Sequence, residues 1–266
     1  MKFNKFFCAG KDYIFLSEEN SFSEIEKLDI RLLCDRQRGI GADGIFALKQ
    51  NNSKNSQIRG FLQNGEIMRD YSTASICAAF AINSNESFGE CVFSCENNEF
   101  FTLFSDSGGK NPLVSCDLGK GNFDIRHPAI MRKTEIGNRI LTLTALELHG
   151  IHTVHFSENK DNLDTEYFGS RISVNSLFGK KADFIIAQRF SKNSFDINYY
   201  ENKTGNPRPT VSAFAATALA ACKTGKANYN EEMRVTCNNN TVYVFCREDN
   251  SVVIQCTATR IFEGEI

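Results

Sequence analysis

Residues 72–82 and 210–221 contain no charged side chain. Each stretch opens on hydroxyl residues, which suit a helix start, and continues in Ala-rich sequence of high helix propensity. A helix with no polar face has no surface to offer water, so both are expected to be buried all round. The sequence around them reads as short strands. In the first half these are residues 13–16, 44–48, 91–94, 100–104 and 113–117. In the second half they are 139–143, 153–156, 182–188, 195–200, 234–237, 241–246 and 252–256. Clusters of Gly, Asn, Asp and Ser punctuate them as turns. One uncharged helix enclosed by strands, occurring once in each half, predicts an internal duplication of fold without an obvious sequence repeat.

The boundary is expected near Gly119 to Asn122, with residues 123–133 as a connection. The last strand, through residues 261–266, is expected to return to the first half. The predicted units are therefore 1–119 together with 257–266, and 120–256. A chain of 266 residues with 41% hydrophobic residues can build substantial cores, and with 23 Phe and no Trp those cores are expected to be rich in Phe. The formal charge of −2 and the lack of a basic block argue against nucleic acid as a partner. No run is long enough to span a membrane, and the N-terminal residues do not read as a signal peptide, so a cytoplasmic protein is the simplest expectation. The ten cysteines are scattered. Cys91 and Cys95 have no second pair to complete a zinc site, so the cysteines read as small buried apolar residues and no metal or other cofactor is expected.

Several segments carry a resemblance. Leu33-Cys34-Asp35-Arg36 followed by Gly39-Ile40-Gly41-Ala42-Asp43-Gly44, Val114 to Gly119, His149 to Val154, and the ending Phe262-Glu263-Gly264-Glu265-Ile266 resemble the diaminopimelate epimerase family. The resemblance implies an α/β (α+β) fold of two pseudo-symmetric halves, each a curved, mostly antiparallel sheet around a central helix. It also implies a site in which the two helix N-termini face one cleft and hold a carboxylate through free N–H groups and partial positive charge.

The catalytic motifs depart from the family. Its two cysteines, one base and one acid, align with Tyr71 and Thr210. The segment Leu62-Gln63-Asn64-Gly65-Glu66 leads to Tyr71-Ser72-Thr73-Ala74, and Gly205-Asn206-Pro207 leads to Thr210-Val211-Ser212-Ala213. Glu201 persists, while Asn202-Lys203 replaces the Arg-Gly that follows it. Lys11, Gly150 and Lys181 stand at altered substrate-binding positions.

Each candidate also has an ordinary reading. Tyr71 fills the first base position or simply packs as an aromatic, since a phenol with a pKa of about 10 is a poor base at neutral pH. Thr210 delivers a proton or caps its helix. In the related proline racemase group, a Thr in place of one Cys accompanies dehydratase activity. Lys11, Asn64, Ser72, Thr73, Val211 and Ser212 are the candidate ligand-binding positions, their ordinary roles being caps, turns and solvated surface. Glu201, Glu66 and Asp70 are carboxylates that could act as a replacement base if desolvated. Phenazine-biosynthesis isomerases, which share the fold, work with carboxylates. His149, His152 and His155 offer no complete metal set, although His152 matches the family's own His.

Two functions remain open at this stage. The first is an isomerase-type or lyase-type proton-transfer enzyme of amino acid metabolism, binding a small carboxylate or amino acid without a cofactor and without the two-thiol mechanism. The second is a catalytically inactive relative serving as a binding or structural subunit, for which a homodimer or a pairing with an active paralogue would fit. On either reading, turnover of LL-diaminopimelate is not expected.

Overall fold

A computed structural model describes the chain except residues 18–20, 53, 83–89, 96–99, 106–112, 126–128, 180 and 203. Lys203, and part of the connection expected at 123–133, lie outside the described residues. The chain divides into two compact units, the first comprising Met1–Asp117 with Gln255–Ile266, the second Leu118–Ile254.

The first unit contains β1 (Lys2–Cys8), β2 (Lys11–Leu16), α1 (Ser21–Glu24), α2 (Ile30–Cys34), β3 (Gly44–Gln50), β4 (Asn55–Leu62), α3 (Ser72–Ile82), β5 (Cys91–Ser94), β6 (Phe100–Ser105) and most of β7 (Leu113–Lys120). The second contains β8 (Arg132–Ile136), β9 (Arg139–Glu147), β10 (Ile151–Ser157), α4 (Thr165–Ser173), β11 (Ala182–Ser191), β12 (Ser194–Tyr200), α5 (Val211–Lys223), β13 (Glu232–Cys237) and β14 (Asn240–Cys246). The long β15 (Ser251–Glu265) begins in the second unit and ends in the first, where it pairs antiparallel with β1.

The two units repeat one pairing pattern. From β1 to β6, successive neighbours are antiparallel, parallel, antiparallel, parallel and antiparallel. From β9 to β14 the sequence is the same. A parallel pair cannot be joined by a tight turn and needs a crossover. In each unit the second crossover carries the Ala-rich helix, α3 between β4 and β5 and α5 between β12 and β13. The duplication therefore shows in strand pairing, where no repeat is visible in sequence.

Burial explains the two kinds of helix. Every residue of α5 from Val211 to Cys222 is buried, as are Ser72 to Ala79 of α3. Helix α3 packs on β1, β2 and β6; α5 packs on β9, β10, β11, β13 and β14. A second core fills the opposite sheet face of the second unit, where Phe168 and Ile172 of α4 meet Leu141, Leu143, Ala182, Phe184 and Ile186. The face of β11 turned away from α4 carries Asp183, Ile185 and Ala187, as the period of two requires.

Strands β1, β4 and β8 are absent from the sequence-based expectation, and β8 begins inside the residues expected as a connection. All three carry polar or charged residues that break the alternation, such as Lys5 in β1 and Arg59 in β4. Lys5 is nonetheless 8% exposed, because its ammonium reaches the Gly41 carbonyl at 2.5 Å and Asp12 at 3.0 Å. The motif around Arg36 is structural. Its guanidinium grips both Asp12 oxygens, at 2.9 and 2.5 Å, and Asp43 at 3.1 Å. Gly41 has a φ of +76°, and a Cβ there would stand 2.9 Å from the Arg36 Cα, so glycine is required.

Candidate functional site

At the start of α5, Thr210 occupies the N-cap position, yet its side chain makes no cap hydrogen bond. The Thr210 hydroxyl instead lies 2.8 Å from the Ser212 hydroxyl, which lies 3.3 Å from His152 Nε2 on β10. The same Nε2 is 3.1 Å from the Leu148 carbonyl. On the other side of the ring, Nδ1 stands 3.6 Å from Asp183 Oδ2 on β11. That carboxylate accepts the Tyr199 hydroxyl at 2.7 Å and, through its other oxygen, the Asn202 N–H at 2.8 Å. Thr210, Ser212 and His152 are all buried. Register produces this arrangement, since His152 and Asp183 are direct partners in the parallel β10–β11 pair. A 13-residue helix also presents first-turn amides and partial positive charge at this end.

At the start of α3 the arrangement differs. Tyr71 is fully buried, with its hydroxyl accepting the Gly60 N–H at 3.2 Å and lying 3.4 Å from the Gly60 carbonyl. Gly60 leaves space for this segment, since a Cβ there would come 2.9 Å from Met68 Sδ. The Ser72 N–H donates to the Asp70 carboxylate at 2.8 Å, so a neighbouring acid already occupies the first amide of this helix. Among the described residues, the Ser72 and Ser75 hydroxyls, buried one turn apart, have no hydrogen-bond partner. Thr73 is buried beside them.

The other expected positions are distributed. Glu201 is half-buried, its carboxylate accepting the Thr204 hydroxyl in a loop closed by a 3.0 Å bond from its own N–H to the Asn206 carbonyl. Asn64 orders a turn, accepting the Glu66 N–H at 3.0 Å, and Glu66 is exposed. Lys11 is 1% exposed at the start of β2, while Lys181 is on the surface. Val211 is buried at the first position of α5. His149 and His155 lie apart from His152, facing the Leu118 and Thr142 carbonyls. Burial pushes the His155 imidazole below its usual range against the Thr142 bond.

Among the described residues no cluster of His, Cys, Asp and Glu is placed to hold a metal ion, and no helix is long and apolar enough to cross a membrane. All ten cysteines are buried thiols. Burial, followed by the Asp43 charge, pushes Cys34 up to about 12, and burial likewise pushes Cys116 well above its usual range. Such thiols are poor nucleophiles.

Asp183 and Tyr199 were not among the expected site residues. The available signal was a carboxylate inside an otherwise apolar strand, Ala182-Asp183-Phe184-Ile185-Ile186, where burial demands a partner.

No protein-family model matches the chain. It is 20% identical over 276 aligned positions to a diaminopimelate epimerase of Methanococcus maripaludis, covering 100% of this chain and 99% of that protein. Among solved structures, a predicted epimerase of Pseudomonas aeruginosa matches with a TM-score of 0.74 at 10% identity, covering 100% of this chain and 98% of that one. A hydroxyproline epimerase of Agrobacterium vitis, with bound trans-4-hydroxy-L-proline, matches with a TM-score of 0.70 at 8% identity, covering 100% and 90%. The chain thus resembles diaminopimelate epimerases along its whole length and has the mixed α/β fold of the epimerase and racemase structures.

Proposed function

We propose that this protein binds a small carboxylate or amino acid at the start of α5 and acts on it by a proton transfer that uses a hydroxyl, not a pair of thiols. The observation that carries the reading is the Thr210–Ser212–His152 chain, with separations of 2.8 and 3.3 Å, at the N-terminus of a long helix. Helix N-terminal amides hold an anionic oxygen, and a hydroxyl tied into a buried hydrogen-bond chain is oriented to meet it. Thr210 and Ser212 supply the hydroxyls. Glu201 is the carboxylate nearest in sequence that could take a proton. The resemblance to epimerases, and the amino acid bound by one structural neighbour, support a ligand of this class. The positions of Tyr71 and Thr210, together with ten buried thiols, argue against the two-cysteine mechanism.

A second reading has its own support. Tyr71 is held by Gly60 and Glu201 by Thr204, so two of the candidate bases are already engaged. On that reading the protein binds a carboxylate without turning it over.

One experiment separates the readings. The protein is incubated in deuterium oxide with a panel of amino, hydroxy and keto acids, and the same panel is tested for thermal stabilisation. Deuterium on the carbon of one acid, abolished in Thr210→Val, supports the first reading. Stabilisation without exchange supports the second. Neither effect from any acid on the panel overturns both.

A further inference from the structure

Strand β8 lies at the margin of the second unit's sheet. Among the described residues, every other strand of that unit is paired on both sides, while β8 pairs with β9 alone. The hairpin fixes which β8 backbone groups face the open side. Ile136 and Arg139 close a two-residue turn at Gly137 and Asn138, and the residues that close such a turn exchange both hydrogen bonds. The antiparallel alternation then turns the N–H and C=O of Arg132 and Thr134 toward β9, and those of Lys133 and Glu135 outward. Side chains alternate across the sheet as well. Thr134 and Ile136 are buried, with Ile136 in the core beneath α4, and Lys133 and Glu135 are exposed on the other face.

An open edge is a template for another strand, and proteins commonly guard such edges with charge. Charges of one sign would repel a second copy of β8. Here the two outward-facing residues carry opposite signs, which makes the strand complementary to itself. A second β8 laid antiparallel must set outward-facing residues opposite one another in order to hydrogen-bond, and three registers do so. One sets Lys133 opposite the Lys133 of the copy, and another sets Glu135 opposite Glu135. Both bring like charges together directly across the ladder, which is destabilising. The third is centred on Thr134 and sets Lys133 opposite Glu135 twice. It forms four main-chain hydrogen bonds and two ion pairs, all from groups that β9 leaves unused. Met131, 53% exposed, then falls opposite the copy's Gly137, which has no side chain to obstruct it.

We infer that the protein forms a symmetric homodimer in which two β8 strands pair antiparallel about Thr134, so that the sheet of the second unit runs on from one copy into the other. The occupant of the edge is a second copy of this chain because the charge order of β8 matches itself in the one register that main-chain bonding and electrostatics both permit. The interface is small, and exposed ion pairs add little each, so the dimer belongs to the transient class and dissociates readily. The inference does not depend on what binds at the start of α5.

Sedimentation equilibrium of the full chain tests this, at stepped concentrations up to about 1 mM and in low and high salt. The expected result is a monomer–dimer equilibrium with a dissociation constant between about 10 μM and 1 mM, weaker in high salt. Lys133→Glu and Glu135→Lys each set like charges across the ladder, and each is expected to weaken association about tenfold or more. An equimolar mixture of the two variants restores opposite charges at both contacts and should dimerise as the wild type does. The double exchange in one chain should do the same. Glu135→Pro removes an outward N–H that β9 does not use, and should abolish association while the circular dichroism spectrum is kept. Should that variant not fold, the charge reversals at exposed positions decide alone. Hydrogen exchange at the Lys133 and Glu135 amides should slow as protein concentration rises. A monomer at every concentration would overturn the inference and leave the β8 edge to water or to a strand of a different protein. A dimer that neither charge reversal weakens, or that mixing does not restore, would also overturn it, because its interface would lie elsewhere.

Discussion

Replacing Tyr71 with Phe separates a structural tyrosine from a catalytic one. The ring is fully buried and keeps its packing in the variant, so the change isolates the hydroxyl. That oxygen accepts the Gly60 N–H at 3.2 Å and lies 3.4 Å from the Gly60 carbonyl. The carbonyl loses little, because it also accepts the Met68 N–H at 2.9 Å. The Gly60 N–H loses its partner in a buried position. An orphaned buried donor costs about 1–3 kcal/mol, and a bond at the long end of the normal range argues for the lower part, about 1–2 kcal/mol. For a chain of this size that is a fall in Tm of about 2–8 °C. Urea denaturation followed by far-UV circular dichroism should show a lower midpoint with an unchanged slope. Stabilisation of the variant by carboxylates should match that of the wild type. An unchanged midpoint would mean that the hydroxyl is not committed to Gly60. Unchanged stability together with lost turnover would make Tyr71 part of the chemistry and refute the assignment.

Acid should act on the first unit through Asp12. Burial raises its carboxyl, but hydrogen bonds from Arg36, Asp43 and Lys5 outweigh this and hold it well below the usual carboxylate range. A folded pKa below the unfolded value gives stability that is complete above the unfolded pKa of about 3.9 and is lost as pH falls through the folded one. Urea midpoints measured from about pH 7 down to about pH 3 should decline on the acid side, and Arg36→Ala should both flatten that decline and cost about 2–3 kcal/mol at neutral pH, a figure reduced from that of a fully buried pair because Arg36 is 40% exposed. Thiol titration with an aromatic disulfide reagent should find almost no fast-reacting group in the native protein and ten after denaturation. One fast thiol whose modification abolished carboxylate binding without unfolding would restore cysteine chemistry to this chain.

Much of the fold was legible in the sequence because the evidence for it is local. Residues 72–82 and 210–221 carry no charge, and Ser72–Ile82 and Val211–Lys223 are the helices enclosed by strands. Strands with clean alternation, such as β5 and β12, were placed within a residue of their ends. Strands β1 and β4 were hidden because their charged residues find partners from distant segments, as Lys5 does with Asp12 and Gly41 and Arg59 with Glu26, and β8 because its charged residues are exposed and leave little apolar signal. Helix α4 was hidden because its core face, Phe168 and Ile172, is short and flanked by polar residues.

The site divides along the same line. The sequence alone determined which residue types stand at the helix starts, and the resemblance set Tyr71 and Thr210 as the expected counterparts of the family's thiols. The tertiary structure decided what those residues touch. His152 and Asp183 are 31 positions apart and Ser212 is a further 29 along, and the parallel register of β10 with β11 and the packing of α5 on β10 bring them together. Hydrogen-bond partnership depends on separations of about 3 Å, and the chain sets separations of that kind only when strands far apart in sequence pair. That is why Thr210 reads as a simple cap in one dimension and as one end of a hydrogen-bond chain through Ser212 to His152 in three.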